Sequence, residues 1–169
     1  KMKKIKVAII GVGNCAKSLV EGVTFYSKNP NETIGLIHFK VGGYSVSDIE
    51  FVAAFDIDER KVDKPLHEAL VAEPNRTMTI AELEPSKVIV KRGPTYDSVI
   101  GENRDYFIHE SKKLPVDIVA ELKASEAEVV LNYLPTGSDK AAFAYAEAAL
   151  EAGCSFVNCM PTKLGRDKT

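Results

Sequence analysis

The 169-residue chain carries 22 Lys and Arg against 24 Asp and Glu, a formal net charge of −2, with a pI near 6.0 and a mean hydropathy of −0.09. This length suits one domain with a sizeable core, and the near-balanced charge excludes a global field that would draw nucleic acid or an anionic membrane. No apolar run approaches the ~20 residues needed to cross a bilayer, so a cytoplasmic protein with no nucleic-acid or membrane partner is expected.

Lys1, Lys3, Lys4 and Lys6 read as a solvated lead-in to the first strand rather than a basic patch. Ile5, Val7, Ile9 and Ile10 then form the short β-branched run of a strand buried on both faces. Gly11 and Gly13 interrupt it, and from Ala16 the apolar residues Ala16, Leu19, Val20 and Val23 follow the i, i+3, i+4, i+7 spacing of one helix face. A strand, a glycine turn and a helix in this order suit an anion. Gly11 permits the tight turn, Gly13 lets a phosphate approach the backbone, and Ala16 lets helix and strand touch. The free amides and positive dipole end of the helix favour a pyrophosphate. The stretch Gly11, Val12, Gly13, Asn14, Cys15 and Ala16 is therefore the candidate cofactor-binding turn. A glycine turn also follows strands for packing reasons alone, but its setting here and a downstream acid favour dinucleotide binding.

Thr24 to Asp48 is a long connection, and the pair Gly42-Gly43 within it reads either as a close approach to a ligand or as simple flexibility. Ile49–Phe55 is the second strand, and Asp56 at its carboxyl tip stands where a dinucleotide fold binds the adenosine ribose. Its charge would repel a 2′-phosphate, which points to NAD over NADP. Asp58 is assigned to capping a helix from Glu59 to Glu73, irregular at Pro65 and stopped by Pro74-Asn75.

Val88–Val90 makes a third strand, and Lys91 to Thr95 beyond it reads equally as a phosphate-facing loop or a solvated turn. Helices follow at Asp97 to Lys113 and at Val116 to Ala124, then a fourth strand at Val129–Leu131. Ser138 is the expected N-cap of an Ala-rich helix over Asp139–Ala152, with Gly153 as its stop. Cys154–Cys159 is the fifth strand. The three cysteines Cys15, Cys154 and Cys159 form no CxxC pair, and the three histidines stand apart, so reduced thiols and no metal site are expected.

Five strands with helical crossovers predict an α/β, Rossmann-type doubly wound and mostly parallel sheet, with ligands outside the carboxyl ends of the strands. That brings the glycine turn, Asp56, residues 92–95, 132–138 and 158–161 along one crevice.

The runs GVGNCAKSLVEG, GGYSVSDIEFVAAFDID, KRGPTYD and LNYLPTGSDKA, followed by FVNCMP, closely resemble the NAD-binding part of inositol-3-phosphate synthases of the actinobacterial and archaeal kind. The similarity runs from about Ile5 to Pro161. It implies an isomerase that uses NAD catalytically to convert D-glucose 6-phosphate to 1D-myo-inositol 3-phosphate by oxidation, aldol closure and reduction. It further implies that Gly11, Gly13, Asn14, Cys15 and Ala16 hold the pyrophosphate and Asp56 the ribose. Asn132, Tyr133, Leu134 and Pro135 would meet the nicotinamide side, and the protein would assemble as a homotetramer.

Members of that family continue past the strand matching Cys154–Cys159 into a catalytic domain with a lysine-containing motif, then return to complete the NAD domain. This chain reads TKLGRDKT after Pro161. The expectation is an incomplete NAD-binding domain over residues 1–161 with a tail at 162–169, no catalytic residue of its own, and cofactor binding without turnover. Competing readings are a truncated NAD-dependent dehydrogenase, a stand-alone NAD-sensing module, and an α/β domain that binds nothing.

Overall fold

Val7, Ala8, Ile9 and Ile10 are all buried because both faces of their strand are covered, which is why the sequence there shows no alternation. The computed structural model describes residues 3–97 and 108–165. Its elements are β1 (Ile5–Ile10), α1 (Asn14–Lys28), β2 (Ile49–Asp56), α2 (Leu66–Ala69), β3 (Val90–Arg92), α3 (Ile118–Ala124), β4 (Val129–Asn132), α4 (Asp139–Glu151) and β5 (Ser155–Asn158). The strands form one sheet in the order β3-β2-β1-β4-β5, parallel at every pairing. This is the α/β Rossmann-like arrangement expected from the sequence. The order reverses between β1 and β4, and that switch point is where such sheets open a crevice.

Apolar side chains cover both faces. On one, Ile10, Phe55 and Val130 pack with Ile118 and Leu122 of α3 and with Tyr145 and Ala149 of α4. On the other, Ile9, Ala54 and Val90 pack with Val12, Ala16, Leu66 and Leu70. No helix among the described residues is long and apolar enough to cross a membrane.

Several elements differ from their sequence-based outlines. The helix expected over Glu59–Glu73 is only the single turn α2, because the preceding backbone is spent elsewhere. The Asp63 amide donates to the Val90 carbonyl (2.8 Å), the Leu66 amide to Val88 (2.8 Å), and the Val90 amide to Lys64 (2.9 Å). The same bonds take up residues 88–89, so the β2–β3 ladder begins at Val90 opposite Ala54. Of the helix expected over Asp97 to Lys113, residues 98–107 lie outside the described residues. Residues 108–113 are not helical, for the His109 carbonyl accepts from the Glu59 amide and the Ser111 amide donates to the Ile57 carbonyl.

Ser138 precedes α4 but makes no capping hydrogen bond. The carboxylate of Asp97 accepts there instead, from the amides of Lys140 (2.8 Å) and Ala141 (3.2 Å). Gly42 and Gly43 form a tight turn closed by reciprocal bonds between Val41 and Tyr44. Both glycines have positive φ, as a type I′ hairpin turn requires.

Candidate functional site

The crevice begins at the turn after β1. Gly11 adopts φ +85°, and a Cβ added to it would lie 2.8 Å from the Tyr133 carbonyl oxygen, so glycine is required twice over, for conformation and for space. The turn is locked across the switch point by the Gly11 amide donating to Phe55 (2.9 Å) and the Tyr133 amide donating to Ile10 (2.8 Å). Gly13 holds the N-cap position of α1, where no side chain caps the helix and no acidic residue stands in the first turn. A Cβ at Gly13 would meet nothing within 4 Å. The start of this 15-residue helix therefore carries no capping side chain, and the space beside Gly13 is open.

Asp56 reaches across this turn. Its Oδ2 accepts from the Val12 amide (2.7 Å), and its Oδ1 accepts from the amides of Ile57 (2.7 Å) and Asp58 (2.9 Å). The Val12 carbonyl is held from the other side, by Lys61 Nζ (2.7 Å) and Asn75 Nδ2 (3.1 Å). Lys61 Nζ also donates to Asn75 Oδ1 (3.1 Å), and Asn14 Oδ1 accepts from the Arg76 amide (2.9 Å).

Residues 77–80 are tied to α1 by a buried ion pair. Lys17 Nζ lies 2.9 Å from Glu21 Oε1 with both side chains at most 4% exposed. The lysine donates to the carbonyls of Thr77 and Met78, while Glu21 accepts from the Ile80 amide. Asp58, assigned by sequence to helix capping, accepts from the Arg60 amide and forms a two-point pair with the Arg60 guanidinium. Burial raises the Asp58 carboxyl, but the Arg60 side-chain and backbone bonds outweigh burial and hold it below the ordinary carboxylate range.

At the other end, Tyr133, Leu134 and Pro135 follow β4. Burial, with the neighbouring Cys159 and Cys15 thiols adding to it, pushes the Tyr133 hydroxyl up to about 12. Phe55 and Tyr145 form an apolar flank, their rings 6.5 Å apart. Gly93 is compelled by the same tyrosine, since a Cβ there would lie 1.9 Å from the Tyr145 hydroxyl. The basic end of β3 turns inward at Arg92. Arg92 NH2 donates to Thr95 Oγ1 (2.8 Å) and Glu110 Oε1 (2.9 Å), which takes up the charge that would have faced phosphate.

These residues enclose a cleft of about 290 Å³. Gly11, Gly13, Asn14, Cys15, Asp56, Tyr133, Leu134 and Pro135 line it, so most of the sequence-predicted site residues converge. Val12, Ala16 and Asn132 do not. Val12 and Ala16 are fully buried under the turn. Asn132 is also buried, its Nδ2 donating to Asn158 Oδ1 (2.9 Å) and its Oδ1 accepting from the Leu134 amide (3.1 Å), so its side chain shapes the loop from behind. Lys61, Asn75 and Tyr145 line the cleft without having been singled out. Lys61 and Asn75 look in sequence like a helix surface residue and a helix stop. Among the described residues no group of three or more His, Cys, Asp and Glu is placed to hold a metal ion.

No protein-family model matches the chain. Curated relatives do. It is 48% identical over 166 residues, 97% of its length, to the inositol-3-phosphate synthase of Mycolicibacterium smegmatis. It is 48% identical to that of Corynebacterium glutamicum and 45% identical to that of Mycobacterium tuberculosis. The chain is a homologue of one part of the inositol-3-phosphate synthases. It spans about half the length of these relatives, 45–46% of each. Among solved structures, Ari2 superposes with a TM-score of 0.77 at 38% identity, covering 95% of this chain and 47% of Ari2. A myo-inositol-1-phosphate synthase-related protein from Thermotoga maritima superposes with a TM-score of 0.66 over 94% of this chain and 48% of its own. At 19% identity that second likeness supports the fold alone.

Proposed function

We propose that this chain is the NAD-holding part of an inositol-3-phosphate synthase, an isomerase that converts D-glucose 6-phosphate to 1D-myo-inositol 3-phosphate. The observation that carries the reading is the uncapped start of α1 behind Gly13, with the Asp56 carboxylate across the turn. A dinucleotide fits this arrangement. Its pyrophosphate needs amides without a Cβ in the way, its ribose needs a hydrogen-bond acceptor, and its flat rings need an apolar cleft. Gly11, Gly13, Asn14 and Cys15 would hold the pyrophosphate, Asp56 the adenosine ribose, and Tyr133, Leu134 and Pro135 the nicotinamide side. Val12, Ala16 and Asn132 would act from behind, fixing the shape of the two loops.

Bound NAD would supply a hydride acceptor and later a hydride donor. The share of this chain's residues is to orient that cofactor and keep water from it. Enolisation and ring closure need a base and a cation beside the sugar, and they belong to the whole protein, as does assembly into a tetramer. Calorimetric titration of the chain with NAD+ tests the reading. Asp56→Ala and Gly13→Val are expected to weaken binding by about tenfold or more, the value of one charged hydrogen bond or a blocked phosphate. Unchanged affinity in both variants would overturn the assignment.

A further inference from the structure

Lys61 is 4% exposed, and among the described residues no carboxylate forms an ion pair with it. An ammonium has three N–H donors. Two are used, on the Val12 carbonyl at 2.7 Å and on Asn75 Oδ1 at 3.1 Å, which leaves one. Asp56 shows the complementary count. A carboxylate has about four acceptor positions, and three are taken by the amides of Val12, Ile57 and Asp58. Both residues line the cleft, and both grip the same residue, Val12, one by its N–H and the other by its carbonyl. One cleft is therefore lined by a lysine with a spare donor and by a carboxylate with a spare acceptor, set on opposite sides of Val12.

We propose that Lys61 and Asp56 form a two-group reader of a free vicinal diol, with Lys61 donating to one ribose hydroxyl of the adenosine half while Asp56 accepts from its neighbour. This deepens the cofactor reading above and rests on it. A sugar hydroxyl both donates and accepts, so a diol satisfies the pair completely. A phosphorylated hydroxyl offers Asp56 only more acceptors, and the loss of either hydroxyl leaves the buried Lys61 or the half-buried Asp56 with a position unfilled. Lys61 is thus a reader of a ribose hydroxyl as well as a brace for the turn, and rejection of a phosphorylated hydroxyl falls to Asp56.

The test is a binding comparison of NAD+, 2′-deoxy-NAD+ and 3′-deoxy-NAD+ on the wild-type chain, Lys61→Met and Lys61→Arg, read by calorimetry. The wild type is expected to prefer NAD+ over each analogue by about tenfold or more. In Lys61→Met the preference over one of the two analogues is expected to disappear while the other stays, and Lys61→Arg, which retains donors, is expected to restore part of it. If Lys61→Met weakens all three ligands by one common factor, Lys61 only braces the Val12 carbonyl and the proposal fails. It fails equally if the wild type binds NAD+ no better than both analogues. A wild type that binds none of the three overturns the cofactor reading itself, a different outcome. Should Lys61→Met show no cooperative melting, Lys61→Gln is read by the same ratios.

Discussion

The two walls of the cleft are built from different materials. The turn from Gly11 to Gly13 takes its shape from two residues without side chains, while Val12 between them is gripped by Asp56, Lys61 and Asn75 of the facing wall. The Gly11 amide donates to the Phe55 carbonyl, and the turn depends on a side chain being absent where Tyr133 approaches. The facing wall, from Asp56 to Ile80, contains one helical turn and is held by polar side-chain pairs, each with at least one buried member: Asp58 with Arg60, Lys61 with Asn75, and Lys17 with Glu21. A backbone turn is fixed by geometry and costs little desolvation. A wall of buried charges is fixed only while every partner is present, because each unpaired charge left in the interior is expensive. The glycines of the first wall therefore fail on added volume, and the second wall fails on the loss of a charged partner.

Lys17→Met puts the greatest strain on this contrast. It leaves Glu21 buried without its cation and frees the carbonyls of Thr77 and Met78. The expected loss is about 3–5 kcal/mol by urea denaturation, the range for breaking a buried pair from one side. The double variant Lys17→Met with Glu21→Leu is expected to recover part of it, because the orphaned charge is gone although the Ile80 amide still lacks its acceptor. Gly11→Ala probes the other wall. A side chain at φ +85° and a Cβ 2.8 Å from a backbone oxygen are expected to cost about 2–3 kcal/mol, or a melting temperature lower by roughly 4–12 °C. If Gly11→Ala proves the more damaging of the two, the side-chain wall is not the more fragile one.

The same contrast explains what the sequence disclosed. The first strand, the glycine turn and the five-strand parallel sheet rest on local signals: a β-branched run, two glycines, and strands alternating with helices. Asp56 was legible because a strand tip is a fixed address in this fold. The second wall was not, because burial contradicts residue type there. Lys17 and Glu21 stand four apart on a helix, the spacing of an ordinary surface pair, and nothing local shows that residues 77–80 will fold over them. Lys61 and Asn75 meet at the Val12 carbonyl, 49 and 63 positions away, which no local pattern announces. Asn132 illustrates the opposite limit, since its place at the tip of β4 was plain while its commitment to Asn158 depends on the neighbouring strand. Capping of α4 by Asp97 from 43 positions upstream is another non-local choice, and it displaced the adjacent Ser138.

The weakest expected effect separates the walls by acid. Asp58 is buried and its carboxyl sits below the ordinary value of 3.8; burial opposes this, and the Arg60 side-chain and backbone bonds prevail. Because the folded-state value is the lower one, the unfolded chain takes up a proton first as pH falls, so stability is lost in that direction. The contribution is complete above about pH 5 and fades as pH drops below 3.8 toward the folded-state value. Asp58→Asn is expected to cost about 1–2 kcal/mol near neutrality, and the gap from wild type is expected to close on acidification, since the wild-type carboxylate then loses its charge too. Gly11→Ala, whose penalty is steric, should keep a constant gap over the same range. Parallel pH–stability curves for Asp58→Asn and wild type would show that Arg60 holds this wall by packing rather than by charge.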